Sequence, residues 1–432
     1  MNLTGRYRYI LPLLAILIVG TILLYFLLGN RQPAEMPLYG LPGIAEDGVE
    51  YDPEILAPGV LRQIEDSLQI DVEIKSAASD GKEEITKVED IAASWRKLPS
   101  FDLGDDEDEI MISDQVLARD QLYLGQALVE TGKSRQFNRW RDTFTETFYD
   151  SSSGLFSSSL VIQQDGYYVR SNPDWITTQG YTRVLLQAYM LNPSRSLQNN
   201  LEDLSAVLLP IFQSGPPASI TGLGPNLNHP LTFIAEDIEI EEQREIDLIS
   251  VDSIDFWTLS QLAGIDGKWE EIAKQWISRV SGSMNEAGMP FPPEGWNMAE
   301  NTAMPLIDSD YQADTLRILK TSLNLAEVGI INAELEGFLL EEITSGGLAS
   351  SYHLVNGNGS ERIVNPAMAA LTARLARAAD NGTLYAAAIR QLNRSYVSNQ
   401  ASPFFGGYGQ TDCEGRQIIT ALDQALALLA LQ

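Results

Sequence analysis

Ser113-Asp-Gln-Val-Leu-Ala-Arg-Asp-Gln-Leu-Tyr-Leu-Gly-Gln-Ala-Leu-Val-Glu130, Thr131-Gly132-Lys133, Ser134-Arg-Gln-Phe-Asn-Arg-Trp-Arg-Asp-Thr-Phe-Thr-Glu-Thr-Phe148 reads as two helices joined by a tight turn. Apolar residues recur at helical spacing on both sides, and Gly132 punctuates them. The unit repeats. Residues 177–191 pair with 197–212, 253–263 with 268–280, 310–327 with 332–342 and 366–378 with 384–396, and 415–431 close the series. Short turns at 132–133, 192–193, 264–267 and 380–382 alternate with longer loops. Such alternation predicts an all-α domain, a closed ring of helical hairpins. An (α/α)6 barrel needs about twelve helices and the pattern supplies about eleven, so the twelfth lies before Ile110 or is hidden in the pattern. The longer loops then gather on one face, where a groove can form.

Ahead of this series stands an uncharged apolar run at residues 9–29, long enough to cross a hydrocarbon core. Arg6 and Arg8 precede it and acidic residues dominate from Glu35 onward, so the charge bias places the N-terminus inside. A cleaved signal peptide is the competing reading, but no small-x-small site follows closely. The expectation is a single-pass cell-membrane protein with a lipid-bilayer anchor and an extracytoplasmic body. Its divisions are a cytoplasmic tip and transmembrane helix at 1–30, a Pro-rich acidic tether with a small structured segment at 31–100, and the barrel at 101–432. The carboxylate run at 102–109 reads as solvated linker, since a calcium loop needs a more regular ligand spacing.

Net charge is −30 with a pI near 4.3, which argues against nucleic acid as a partner. Cys413 is the only cysteine, so no internal disulfide forms. His229 and His353 lie far apart and give a metal site no support. No cofactor fingerprint, phosphate loop or nucleophile elbow occurs in a sensible context. Carboxylates and aromatics in the loops are the chemistry left.

In order and spacing of segments, the body from about Asp102 to Gln432 resembles glycoside hydrolase family 8, bacterial hydrolases of cellulose, chitosan, xylan and biofilm polysaccharides. Ala118-Arg-Asp-Gln-Leu-Tyr123 is similar to the family's Ser-Glu-Gly-Gln-x-Tyr-Gly. Gly154-Leu-Phe156 and Asp165-Gly166 follow in family order. Thr178-Gln-Gly-Tyr181 then stands where the family has Thr-Asp-Ala-Asp. Gly288 to Trp296 resembles the approach loop, and Tyr311-Gln-Ala-Asp-Thr-Leu-Arg317 resembles Tyr-Asp-Ala-x-Arg with its Asp and Arg three apart.

The resemblance implies inverting hydrolysis of a β-linked glycan by two carboxyls roughly 6.5–9.5 Å apart. Asp314 takes the base position, and Arg317, one turn along, would keep it ionised. The acid is displaced: alignment puts Arg119 where the family keeps its Glu, leaving Asp120 as the candidate, while Asp114 offers a second alignment that loses the tyrosine and reads more simply as a helix cap. Gln179 and Tyr181 replace the sugar-binding Asp positions; with Tyr123, Trp296, Tyr311 and Arg317 they are the implied substrate contacts. Two functions follow. One is a membrane-anchored hydrolase of an exported or surface polysaccharide. The other is an inactive relative that binds a glycan or scaffolds a membrane polysaccharide synthase complex. An (α/α) barrel of another class, such as a uronate lyase or unsaturated glucuronyl hydrolase, is disfavoured because the overall acidic charge suits uronate polymers poorly.

Overall fold

Pro53 at a first helical position, where a missing N–H costs nothing, begins the described part of the chain. The computed structural model describes residues 53–77, 83–98, 111–216, 248–284, 288–304, 312–411 and 416–432. Among these residues no helix is long and apolar enough to cross a membrane; the expected anchor at 9–29 lies outside them.

Twelve α-helices occur among the described residues. They are α1 (Pro53–Gln63), α2 (Ala118–Glu130), α3 (Ser134–Phe148), α4 (Trp175–Leu191), α5 (Arg195–Ser214) and α6 (Phe256–Leu262). The second half comprises α7 (Lys268–Gly282), α8 (Thr315–Ala326), α9 (Ala333–Thr344), α10 (Pro366–Ala378), α11 (Gly382–Asn393) and α12 (Ala421–Ala430). The even-numbered helices form an inner ring in which α2 packs on α4, α4 on α6, α6 on α8, α8 on α10 and α10 on α12. Helix α12 packs back on α2 and closes it. Outside lie α3 on α2, α5 on α4, α7 on α6, α9 on α11, α11 on α10 and α1 on α12. The missing twelfth helix is therefore α1, in a stretch that reads as tether.

Amphipathic faces hold the two rings together. Phe137, Trp140, Phe144 and Phe148 recur along α3 as one buried stripe. Their rings stack in sequence and meet Phe156 and Tyr181 of the neighbouring elements. Helix α2 can approach α3 this closely because residue 125 is glycine. A Cβ there would stand 2.4 Å from the Trp140 ring.

The all-α expectation needs one amendment. The long connections carry strands, because their backbone N–H and C=O groups need partners as they cross the end of the barrel. Residues 69–77 alternate apolar Ile70, Val72 and Ile74 with charged Asp71, Glu73 and Lys75, the period of a half-buried strand. With strands 83–92, 168–170, 159–162 and 115–117 they make a five-stranded sheet, parallel only where Ile74 faces Tyr168. Strand formation at 115–117 also delays the start of α2 from the expected 113 to Ala118.

Every inner helix is entered from a long connection, and each but the last leaves by a short one, so all six run the same way. Their N-termini share one face. Asp174, Asp255, Asp314, Asn365 and Thr420 cap five of them, each accepting from the backbone N–H three residues on.

Candidate functional site

The inner ring encloses a cavity of about 110 Å³ lined by residues of α2, α4, α8 and α10 and by the 252–255 turn that leads into α6. Helical periodicity explains which residues face it. On α2 these are Arg119, Leu122, Tyr123 and Gln126; on α8, Lys320, Leu323, Asn324 and Glu327.

Its floor is a buried ion network. Arg183 from α4 donates through Nη1 to both oxygens of Asp255 at 3.1 Å and to Glu327 at 2.7 Å, and through Nη2 to Glu327 at 2.6 Å. Burial alone would lower the guanidinium pKa, but the two carboxylates outweigh it and raise it. Arg374 pairs with Glu130 at 3.2 Å and approaches Glu327 at 3.9 Å. Asp252 meets Lys320 at 3.4 Å and accepts from the Ser250 hydroxyl. Burial would raise the Asp252 carboxyl, yet the charges of Lys320 and Arg317 hold it below the usual range. Arg183, the only charge on its helix, is the one sequence signal for this network, and it does not name the partners.

Of the residues singled out from sequence, Tyr123 and Gln179 line the cavity. Gln179 accepts from the Asp255 N–H at 3.1 Å, and its buried Nε2 has no partner among the described residues. Asp314 is the half-buried cap of α8; its carboxylate accepts from the Arg317 N–H at 3.1 Å, and its own N–H donates to buried Glu294. Arg317 lies one turn before Lys320, and its charge reaches Asp252. Tyr311 lies outside the described residues.

Three others sit elsewhere. Asp120 is 2% exposed, absent from the cavity lining, and bonded to Nε and Nη2 of Arg119 at 3.2 and 3.0 Å. It lies close enough to buried Asp423 on α12 to raise that carboxyl. Burial pushes the Asp120 carboxyl up, with Arg119 opposing. Tyr181 is core: its ring stacks on Phe144 and its hydroxyl meets Thr145 at 3.1 Å. Trp296 is buried in the strand 295–297. Loop aromatics and helix-start aromatics pack inward as readily as they face a ligand, and a linear pattern does not distinguish the two.

No family model matches the chain, and no curated protein does. Solved structures do. A cold-adapted family 8 xylanase, in complex with substrate, aligns over 93% of this chain and 96% of its own with TM-score 0.55 and 10% identity. PssZ from Listeria monocytogenes aligns over 90% and 97% with TM-score 0.52 and 12% identity. The fold is that of the family 8 glycoside hydrolases. A novel α-amylase from Clostridium perfringens also matches, at TM-score 0.57 and 19% identity over 73% of this chain and 86% of that one. At these identities the likeness establishes architecture alone.

Within a family 8-like barrel, the chemistry needs a protonated carboxyl facing the cavity. Asp252 is held ionised, and Asp255 and Glu327 are clamped by Arg183. Arg119 faces the cavity one residue before Asp120, and a guanidinium donates hydrogen bonds but does not serve as an acid catalyst. The described lining offers charges and hydrogen-bond donors to a hydroxyl-rich or charged ligand.

Proposed function

We propose that the chain is a membrane-tethered, glycosidase-like barrel that binds an exported β-linked polysaccharide without cutting it, as a holding or scaffolding component of polysaccharide synthesis or secretion. The observation that carries this is Arg119. It occupies the cavity wall where the resemblance calls for a proton donor, while Asp120, next along the helix, is turned away and committed to it. Tyr123 and the open amide of Gln179 remain to meet sugar hydroxyls. Tethering by residues 9–29 would keep the barrel within reach of a polymer leaving its synthase.

Titration of the full-length chain with β-linked gluco-oligosaccharides tests it. Saturable binding is expected, weakened about tenfold, or ~1.4 kcal/mol, by Tyr123→Ala. Absence of binding to any such glycan would refute it.

A second reading, inverting hydrolysis with Asp314 as base and Asp120 as acid, draws on the burial that raises the Asp120 carboxyl, as an acid requires. It predicts that Asp120→Asn and Asp314→Asn each abolish release of reducing ends.

A further inference from the structure

In two ion pairs on this cavity wall the cation reaches solvent farther than its carboxylate. Arg119 and Lys320 are each 29% exposed, whereas the carboxylates they meet, Asp120 and Asp252, are 2% and 17% exposed. Deeper in, Glu327 is fully covered. At these two pairs a ligand meets the cation first; at the deeper Arg183–Asp255 pair, 8% and 13% exposed, the order reverses. Arg317 stands just outside this lining, near enough for its charge to reach Asp252. Its Nη1 is buried with no hydrogen-bond partner among the described residues, and it stands on the same face of α8 as Lys320, one turn nearer the capped N-terminus. A buried donor left unmet is costly, so an incoming acceptor that satisfies it gains affinity.

Neutral sugar hydroxyls need no such cluster. A planar carboxylate matches a guanidinium fork in two parallel hydrogen bonds. We infer that the cavity, if it is a glycan site as proposed above, selects a β-linked glycan bearing carboxylates, such as a C6-oxidised hexose, through Arg317 and Lys320 with Arg119 opposite. The net charge of −30 does not forbid this. Charges farther away than the Debye length of about 8 Å are screened at physiological salt, so the arrangement of the local ion pairs decides.

A matched pair of ligands separates this inference from the reading beneath it: a β-1,4-linked gluco-oligosaccharide and its C6-oxidised counterpart of equal length, titrated into the full-length chain at 150 mM salt. The oxidised oligomer should bind at least about tenfold tighter. That ratio should fall toward one in Arg317→Met, and in Lys320→Met should the first variant fold poorly. Equal or tighter binding of the neutral oligomer would overturn the carboxylate inference and leave glycan binding standing. Binding of neither would overturn both.

Discussion

Asp423 is fully buried on α12, with one carboxylate oxygen accepting from the Ala367 N–H at 3.1 Å and the other from Gln410 at 2.6 Å. Burial pushes its carboxyl up to about 6, hydrogen bonds from Thr420 and Gln410 oppose that, and the charge of Asp120 adds to it. An unfolded Asp titrates near ~3.9, so the folded state holds this proton more tightly. The sign follows. The stabilisation is fully present below about pH 4 and is lost as pH rises through about 6, an amount on the order of 3 kcal/mol. Asp423→Asn, whose amide does not titrate, should therefore gain thermal stability relative to the wild type as pH goes from 4 to 7. Melting temperatures that run parallel across that range would remove Asp423 as the source. The same residue scale explains why the acid position reads ambiguously: Arg119 and Asp120 differ by about 100° around a helix, and only the packing of α12 on α2 decides which one meets the cavity.

Helix packing sets the tolerances one level up. Gly125→Ala puts a methyl group into the Trp140 ring, a wide side chain itself pinned by Phe137 and Phe144. Overpacking of this kind costs about 1–3 kcal/mol, and the variant's melting temperature should drop by several degrees. An unchanged value would mean that α2 and α3 have room the geometry does not show. At this scale the sequence was mostly legible, since ring helices carry a strong 3.6-residue pattern. Helix α1 escaped because Pro53, Pro58 and Gly59 resemble linker chemistry. Yet Gly59 is small for contact: a Cβ there would lie 3.0 Å from the Gly406 carbonyl oxygen, where α1 meets the loop ahead of α12. The strand at 69–77 was legible too, in the alternation of Ile70, Val72 and Ile74, but helical expectation competed with it. The ion network was not. Arg183 meets Asp255 and Glu327 across 72 and 144 residues of chain, a separation no local pattern bridges.

For the molecule as a whole, the closed inner ring delivers six parallel helix N-termini to one face and a cavity floored by buried ion pairs behind them. That is the fold of the family 8 glycosidases, and the proposed reading puts Arg119 where a proton donor would stand. The central claim is therefore that this barrel holds a glycan and leaves its linkages intact. The direct measurement is reducing-end release from β-glucan, chitosan and C6-oxidised β-glucan by the full-length chain, in samples where binding is measured in parallel. Saturable binding with release no greater than in the protein-free control is the expected result. Release above that control, abolished by Asp120→Asn or Asp314→Asn, would contradict it.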